Sequence, residues 1–180
     1  MGELLQKDVL EKGDTSREAY FNVIDYKTSS LLGASAYIGA KTATTKQDYT
    51  KYAEEFGRLL GRAFQIKDDI LDFEISQVNG KKYGNDIKEC KLTLPILDYI
   101  DTLDEEIKLN VIDFVKQKDK SDEDVLQLVL DVVNSGSLTK TEEKVKYYSD
   151  KAKEVLSNLP KNQYRKILEQ LVEILIKRNN

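Results

Sequence analysis

Residues 64–72 read Phe64-Gln65-Ile66-Lys67-Asp68-Asp69-Ile70-Leu71-Asp72. Asp68 and Asp72 are four residues apart, so an α-helix would place both carboxylates on one face, with Gln65 one turn earlier on that face. Asp69 lies beside them in the sequence. Three neighbouring carboxylates repel one another and weaken a helix unless a cation binds among them. The spacing therefore predicts a helix that carries a cation-binding site.

The apolar residues around this acidic motif predict that its helix is largely buried. They are Phe64, Ile66, Ile70, Leu71 and Phe73. A carboxylate packed among such side chains needs a partner, because burying an unpaired charge is costly. The simpler alternative is a solvated acidic edge on an amphipathic helix, which is a common arrangement. The apolar neighbours and the nearby Gln65 favour the buried interpretation.

The overall composition restricts which cation can bind. The chain has 180 residues, enough for one domain, with no histidine and a single cysteine, Cys90. Such a composition excludes Ser-His-Asp and Cys-His catalysis, imidazole or thiolate metal sites and internal disulfides, and it suits a reducing, cytoplasmic location. Metal binding must then use carboxylates, which favour Mg²⁺. The net charge of −4 predicts no nucleic-acid partner, since no basic excess is present to neutralise phosphates.

Helix-start signals recur along the whole sequence. Capping boxes of the form S/T-x-x-E occur at Thr15–Glu18, Thr102–Glu105 and Thr139–Glu142, with acidic variants at Thr45–Asp48 and Ser121–Asp124. No segment alternates like a strand, so the predicted fold class is all-α, in a single domain over residues 1–180. The predicted helices cover about residues 2–11, 16–40, 46–76, 93–101, 103–117, 122–134, 140–158 and 161–178. Neither a membrane span nor a signal peptide is predicted.

Two further segments carry residues suited to binding anions. Tyr26-Lys27-Thr28-Ser29-Ser30 places a lysine before three hydroxyl groups within a predicted helix. Residues 77–92 form the one substantial irregular stretch predicted, and Lys91 stands just before the next helix start, where an ammonium and backbone N–H groups can bind an anion together. Each segment also has a simpler interpretation, because most helix lysines are solvated and charged loops are ordinary.

Taken in order, these segments resemble the polyprenyl synthetase family, the trans-isoprenyl diphosphate synthases. Residues 64–72 are similar, almost letter for letter, to the second aspartate-rich motif of that family. The other similar segments are Gly2-Glu3-Leu4-Leu5-Gln6, Lys27-Thr28, Gly80-Lys81, Gly84-Asn85-Asp86-Ile87 and Lys91-Leu92-Thr93-Leu94-Pro95. The resemblance spans the whole chain and is stronger to bacterial long-chain, octaprenyl-type members than to short-chain ones. It implies the carboxy-terminal half of the isoprenoid synthase helical bundle.

The resemblance implies a Mg²⁺-dependent prenyltransferase that condenses an allylic diphosphate with isopentenyl diphosphate to a longer polyprenyl diphosphate. Mg²⁺ would withdraw charge from the diphosphate and help it leave. The implied metal ligands are Asp68, Asp69 and Asp72. The implied diphosphate-binding residues are Lys27, Lys91, Lys81 and Asp86. Among these, Lys81 is the weaker candidate, and Asp86 would orient the neighbouring lysines or a metal-bound water.

The implied catalytic residues are Lys27, Thr28 and Gln65. The oxygen atoms of Thr28 and Gln65 would stabilise the developing allylic cation in an otherwise apolar cavity.

Two features depart from the family pattern. The first aspartate-rich motif of the family would lie upstream of Met1, because Asp68-Asp69 is the only Asp-Asp pair in the sequence. We therefore expect the chain to lack about the first half of a typical member and to turn over little or nothing alone. Cys90 stands where the family usually has glycine. If the backbone there has a positive φ, cysteine would cost about 1 kcal/mol or more and could displace Lys91.

Association is expected, because a half fold exposes the face that its missing helices would cover. The partner would be a second copy in a homodimer or a polypeptide carrying the amino-terminal half, and the product would be delivered to a membrane. A non-catalytic helical subunit that associates with an active synthase is the alternative function. A terpene cyclase shares the helical design but usually lacks the motif from Gln65 to Asp72.

Overall fold

The computed structural model describes residues 2–12, 14–74 and 83–178, and it confirms the predicted all-α fold class for them. No strand occurs within these ranges. The elements are α1 (Gly2–Lys12), α2 (Arg17–Ile24), a π-helical turn (Asp25–Ser29), α3 (Ser30–Ala43), α4 (Gln47–Leu71), α5 (Asn85–Lys88), α6 (Leu94–Ile100), α7 (Glu105–Lys116), α8 (Asp122–Asn134), α9 (Ser137–Leu156) and α10 (Gln163–Lys177). Among the described helices, none has the length and apolar content that crossing a bilayer requires.

Helix α4 carries the acidic motif and packs most extensively against α3 and α9. The predicted burial of this helix is confirmed for Ile66, Ile70, Leu71 and Phe73. Phe64 is the exception, because it is 36% exposed. Its ring instead packs against the guanidinium group of Arg178, whose central carbon lies 5.0 Å from the ring centroid.

Two glycines allow the preceding part of the chain to approach α4 at backbone distance. A Cβ atom on Gly57 would lie 2.4 Å from the carbonyl oxygen of Leu32, and one on Gly61 would lie 2.6 Å from the Cα atom of Ser29. Side chains at these two positions would push α3 and the π-helical turn away from α4. The close packing therefore determines where Thr28, which belongs to that turn, stands beside α4.

The helix predicted over residues 16–40 is interrupted by the π-helical turn. The Ser30 N–H donates a hydrogen bond to the carbonyl oxygen of Asp25, five residues earlier. Such wider turns are rare, and they occur frequently at functional sites. Because Lys27 and Thr28 lie inside this turn, the ordinary spacing of 3.6 residues per turn does not give their directions.

Helix starts agree with the sequence signals only in part. Ser121 caps α8 as predicted, and its Oγ accepts a hydrogen bond of 3.1 Å from a backbone N–H in the first turn. At α2 the cap is Ser16 rather than Thr15, and at α7 the residue before the helix is Asp104 rather than Thr102. Several hydroxyl or carboxylate side chains compete for each cap, so the pattern locates a helix start only to within a few residues.

Three boundaries differ more clearly. Helix α4 ends at Leu71 instead of residue 76. Helix α9 begins at Ser137, so Thr139 lies inside it instead of capping it. The stretch predicted as irregular contains the short helix α5.

A buried aspartate ties α2, α6 and α9 together. Asp98 of α6 has a fully buried side chain, at 0% exposure. Its Oδ1 lies 2.7 Å from Nη1 of Arg17, and its Oδ2 accepts a hydrogen bond of 2.7 Å from the hydroxyl of Thr141. Arg17 also pairs with Asp101, which is half exposed. The pair with Asp98 fixes the start of α2, which leads directly into the π-helical turn.

We expect Asp98→Ala to lower the free energy of unfolding by about 1–3 kcal/mol, because it removes the buried partner of both Arg17 and Thr141. Asp101→Ala, which removes the exposed partner of the same arginine, should cost less than about 1 kcal/mol. Urea denaturation followed by circular dichroism measures both. Equal losses in the two variants would contradict the role given to Asp98.

Candidate active site

One cleft, of about 160 Å³, collects most of the residues that the sequence analysis selected. It is lined by parts of α1, α2, the π-helical turn, α4 and residues 90–93, with Asp86 of α5 and Leu97 of α6. The selected residues that line it are Lys27, Gln65, Asp68, Asp69, Asp86 and Lys91. Thr28 reaches the same group through Gln65. Lys81 lies outside the described residues, so its predicted role stays a prediction.

Asp69 is the centre of a chain of hydrogen bonds inside this cleft. The Tyr20 hydroxyl donates to Oδ2 of Asp69 at 2.6 Å, and Nε2 of Gln65 donates to Oδ1 at 3.0 Å. The Thr28 hydroxyl in turn donates to Oε1 of Gln65 at 2.6 Å. This arrangement fixes the Gln65 amide, because turning it over would face two acceptor oxygens toward each other. Thr28 and Gln65, predicted as a pair, are therefore in direct contact.

The charge of Asp69 is poorly compensated. Its side chain is only 3% exposed. Burial, and after it the negative charge of Asp86, raises the pKa of Asp69 to about 7, although the hydrogen bonds from Tyr20 and Gln65 oppose the shift. Among the described residues, no lysine or arginine forms an ion pair with Asp69. Within the described ranges, Asp69 is therefore a buried carboxylate held by neutral hydrogen-bond donors.

Asp72, the residue that follows α4, has hydrogen-bond partners outside that helix. Asp72 follows the last residue of α4 and turns toward the start of α5. Its Oδ1 accepts from the backbone N–H of Asn85 at 3.0 Å, and its Oδ2 accepts from the N–H of Asp86 at 2.8 Å. Its backbone keeps right-handed helical angles, with φ −70° and ψ −17°, so Asp72 still lies one turn after Asp68. The hydrogen bond from the N–H of Asp86 fixes Asp86 beside the cleft.

Asp68 also has a partner of its own. Its Oδ1 accepts from a guanidinium nitrogen of Arg178, which follows α10. The pair is partly exposed, and Asp68 still lines the cleft. Asp68, Asp69 and Asp72 thus turn to three different partners, and within the described ranges no three acidic side chains are already arranged as a metal-binding cluster.

Lys91 lies in the segment between α5 and α6 and lines the cleft. Its Nζ lies 3.0 Å from Oδ1 of Asp86 and 2.5 Å from Oε2 of Glu89. Burial disfavours the charged form of Lys91, but its hydrogen bonds to Glu89 and Asp86 outweigh this, so its pKa is raised. Burial raises the pKa of Asp86, and the charge of Lys91 opposes that rise. Lys91 is therefore a fixed positive charge in the cleft.

Cys90 has the positive φ that was considered for this position, where the family usually has glycine. Its φ is 60°, in the left-handed region that favours glycine. Its Sγ lies 3.0 Å from the carbonyl oxygen of Gln117. Lys91 nevertheless lines the cleft, so the cysteine does not remove it from the site.

Lys27 lies at the other side of the cleft, in the π-helical turn. Its Nζ donates to Oε1 of Gln6 at 3.3 Å. Helix α1 approaches this turn closely, because a Cβ atom on Gly2 would lie 2.6 Å from the Cα atom of Lys27. The contact places Gln6 and Lys27 together in the lining of the cleft.

Two residues of the site were not predicted. Tyr20 carries no sequence signal for the site, because the π-helical turn between it and Lys27 breaks the ordinary helical spacing. Arg178 carries no such signal, because it meets Asp68 across 110 residues of sequence.

The sequence matches the family model described as polyprenyl synthetase over residues 1–132. It is 35% identical over 185 aligned residues to solanesyl-diphosphate synthase 2, chloroplastic, of Oryza sativa subsp. japonica, covering 98% of this chain and 43% of that protein. It is 32% identical over 180 residues to octaprenyl diphosphate synthase of Escherichia coli (strain K12), covering 99% of this chain and 55% of that protein.

The fold is similar to that of a solved polyprenyl synthase from Caulobacter crescentus CB15, complexed with calcium and isoprenyl diphosphate. The TM-score is 0.89 at 29% identity, with 99% of this chain and 55% of that chain covered. The chain thus spans about half the length of the relatives it matches. The order of the motifs, the cleft that they line and these similarities agree, and the chain belongs to the polyprenyl synthetase family.

Proposed function

We propose that this chain supplies half of the active site of a trans-polyprenyl diphosphate synthase. The reaction is the Mg²⁺-dependent condensation of an allylic diphosphate with isopentenyl diphosphate to a longer polyprenyl diphosphate. The observation that carries the proposal is the charge arrangement in the cleft. A buried, uncompensated carboxylate, Asp69, lies in one lining with two lysines, Lys27 and Lys91. A divalent cation and a diphosphate together complement both signs of charge.

The donor set fits Mg²⁺. The cleft offers the carboxylate oxygens of Asp68, Asp69 and Asp86 and no imidazole, and hard oxygen donors are those that Mg²⁺ prefers. Each oxygen of Asp69 accepts one hydrogen bond and keeps a second lone pair. Asp68 and Asp69 would hold the ion directly. Asp72 is the third ligand that we propose, because its Oδ2 also accepts one hydrogen bond and keeps a lone pair, and the same hydrogen bond places Asp86 beside the cleft.

Bound Mg²⁺ would supply Lewis-acid help to the departure of the diphosphate. Lys27 and Lys91 would hold the diphosphate oxygens through charge-assisted hydrogen bonds. Because the Thr28 hydroxyl donates its hydrogen to Gln65, the lone pairs of its oxygen are available to a developing positive charge. Arg178 would have to leave Asp68 when a cation binds there.

The comparisons support the substrate class and not its length. The proteins similar to this chain are named as octaprenyl and solanesyl diphosphate synthases, and the Caulobacter crescentus structure contains calcium and isoprenyl diphosphate. A divalent cation beside a prenyl diphosphate is therefore the ligand pair we assign to this cleft. We place the reaction in the cytoplasm, consistent with a sequence that has one cysteine.

We propose that this chain associates, either with a second copy in a homodimer or with a polypeptide that carries the amino-terminal half of the fold. Apolar side chains on the amino-terminal helices of the chain are exposed by 57–70%: Leu4, Tyr26, Leu31 and Ile38. Exposed apolar groups of this kind mark interfaces. The alternative, a non-catalytic subunit of an active synthase, would use the same face.

The proposal is tested by incubating the purified chain with Mg²⁺, farnesyl diphosphate and labelled isopentenyl diphosphate, and sizing the extracted lipid. We expect no product from the chain alone and product when the amino-terminal half of a synthase is added. An Asp68→Ala variant should abolish that product. No product in the mixture, although both polypeptides associate, would favour the non-catalytic subunit.

Replacing Asp69 by asparagine tests the cost of the buried charge. Its pKa of about 7 in the folded chain exceeds the value of about 3.9 for an unfolded aspartate. The folded chain therefore binds more protons between these values, and Asp69 lowers stability as the pH rises through that window. Without divalent cations, we expect Asp69→Asn to raise the free energy of unfolding by up to about 4 kcal/mol above about pH 7, and to give no such gain below about pH 4.

Urea denaturation across this pH range measures the effect. Asp113→Asn, at an exposed position of α7, is the matched control and should show no such pH dependence. Mg²⁺ should stabilise the wild-type chain above about pH 7 more than it stabilises Asp69→Asn, which keeps Asp68 and Asp86 in the cleft. The same pH response in both variants would argue against an uncompensated charge at Asp69.

Lys91→Ala tests diphosphate binding. We expect the affinity for inorganic pyrophosphate in the presence of Mg²⁺ to fall by about tenfold or more, because a charge-assisted hydrogen bond is lost. Lys88→Ala is the matched control on the same segment, since Lys88 pairs with Asp122 and does not line the cleft. Isothermal titration calorimetry gives both affinities. An equal loss from both variants would reduce the role of Lys91 to that of general positive charge.

A further inference from the structure

Tyr20 is a buried phenol that the reaction described above does not use. It lies on α2, is 6% exposed and lines the cleft. A buried tyrosine hydroxyl usually finds a hydrogen-bond partner, and here the partner is Oδ2 of Asp69 at 2.6 Å. The contact joins two helices across 49 residues of sequence. It therefore links the position of α2 to the carboxylate proposed to hold the metal.

The two donors on Asp69 act from different elements. Gln65 lies on α4, one turn before Asp69, and moves with it. Tyr20 is the one donor among the described residues that reaches Asp69 from outside α4. Because the two donors engage different oxygens, together they fix the rotation of the carboxylate group. One lone pair on each oxygen is left for a cation.

The Tyr20 ring is itself held in place. It packs edge-on against Phe21, with ring centroids 5.3 Å apart at an angle of 74°. Phe21 in turn lies beside Tyr148 and beneath the guanidinium group of Arg62. Arg62 is fixed by a two-bond pair with Asp25 of the π-helical turn. A donor supported in this way can position its acceptor precisely enough to affect binding.

We infer that Tyr20 is a positioning residue for metal binding, acting through Asp69. The inference rests on the proposed function, because it requires that Asp69 bind a divalent cation. Residues that orient a metal ligand typically change metal affinity by 10–100-fold when replaced. A tyrosine that only filled the core would change stability and leave metal affinity as it is.

The test measures Mn²⁺ binding to the full chain by electron paramagnetic resonance, with Mn²⁺ as the probe for Mg²⁺. Tyr20→Phe keeps the ring and removes only the donor, and Tyr164→Phe, at an exposed position of α10, is the matched control. We expect Tyr20→Phe to weaken Mn²⁺ binding by about tenfold and Tyr164→Phe to leave it unchanged. In the Asp69→Asn background, where Asp68 and Asp86 remain, Tyr20→Phe should have no further effect.

Unchanged Mn²⁺ affinity in Tyr20→Phe would overturn the inference, as would a loss of equal size in the Asp69→Asn background. Failure of the wild-type chain to bind Mn²⁺ would overturn the proposed function as well, so the two failures are distinguishable. Should Tyr20→Phe not fold, ¹⁹F NMR of fluorotyrosine-labelled wild-type chain replaces the variant. The buried Tyr20 signal should then shift on adding Mg²⁺, and a signal that does not respond would contradict the positioning role.

Discussion

The carboxylate of Asp69 is buried on α4 with hydrogen-bond donors on both oxygens, and the described part of the chain places no cation against it. Burial of this kind is unfavourable by itself, because desolvation penalises the charged form. Hydrogen-bond donors from two helices partly offset this cost. Tyr20 reaches it from α2, Gln65 from α4, and Thr28 joins through Gln65. A divalent cation would supply the charge that these neutral donors cannot.

Two backbone features bring the other groups to this centre. Gly57 and Gly61 allow α3 and the π-helical turn to lie directly against α4, which carries Lys27 and Thr28 to the cleft. Asp72 accepts hydrogen bonds from the backbone at the start of α5, which places Asp86 beside the cleft, and Lys91 pairs with Asp86 there. One feature uses the absence of a side chain, and the other uses a side chain to hold backbone N–H groups. Together they bring carboxylates and lysines into one cleft, where a metal ion and a diphosphate need charges of both signs.

Features of this site that depend on residues close together in the sequence could be predicted, and contacts between distant helices could not. Helical periodicity predicted the all-α fold and the buried acidic helix, because it depends on neighbouring residues only. The ordered motifs predicted that Lys27, Gln65, Asp69 and Lys91 meet. Periodicity could not predict where α4 ends, nor the hydrogen bonds that Asp72 accepts from the start of α5. The contacts of Tyr20 and Arg178 depend on how helices pack, which no local pattern records.

The most direct test is a crystal structure of the chain with Mn²⁺ and inorganic pyrophosphate, located by the anomalous signal of manganese. We expect a manganese peak within about 2.3 Å of a carboxylate oxygen of Asp68 or Asp69, with pyrophosphate beside Lys27 and Lys91 and with Arg178 displaced from Asp68. Manganese and pyrophosphate bound only outside the cleft, with Arg178 still paired to Asp68, would contradict it.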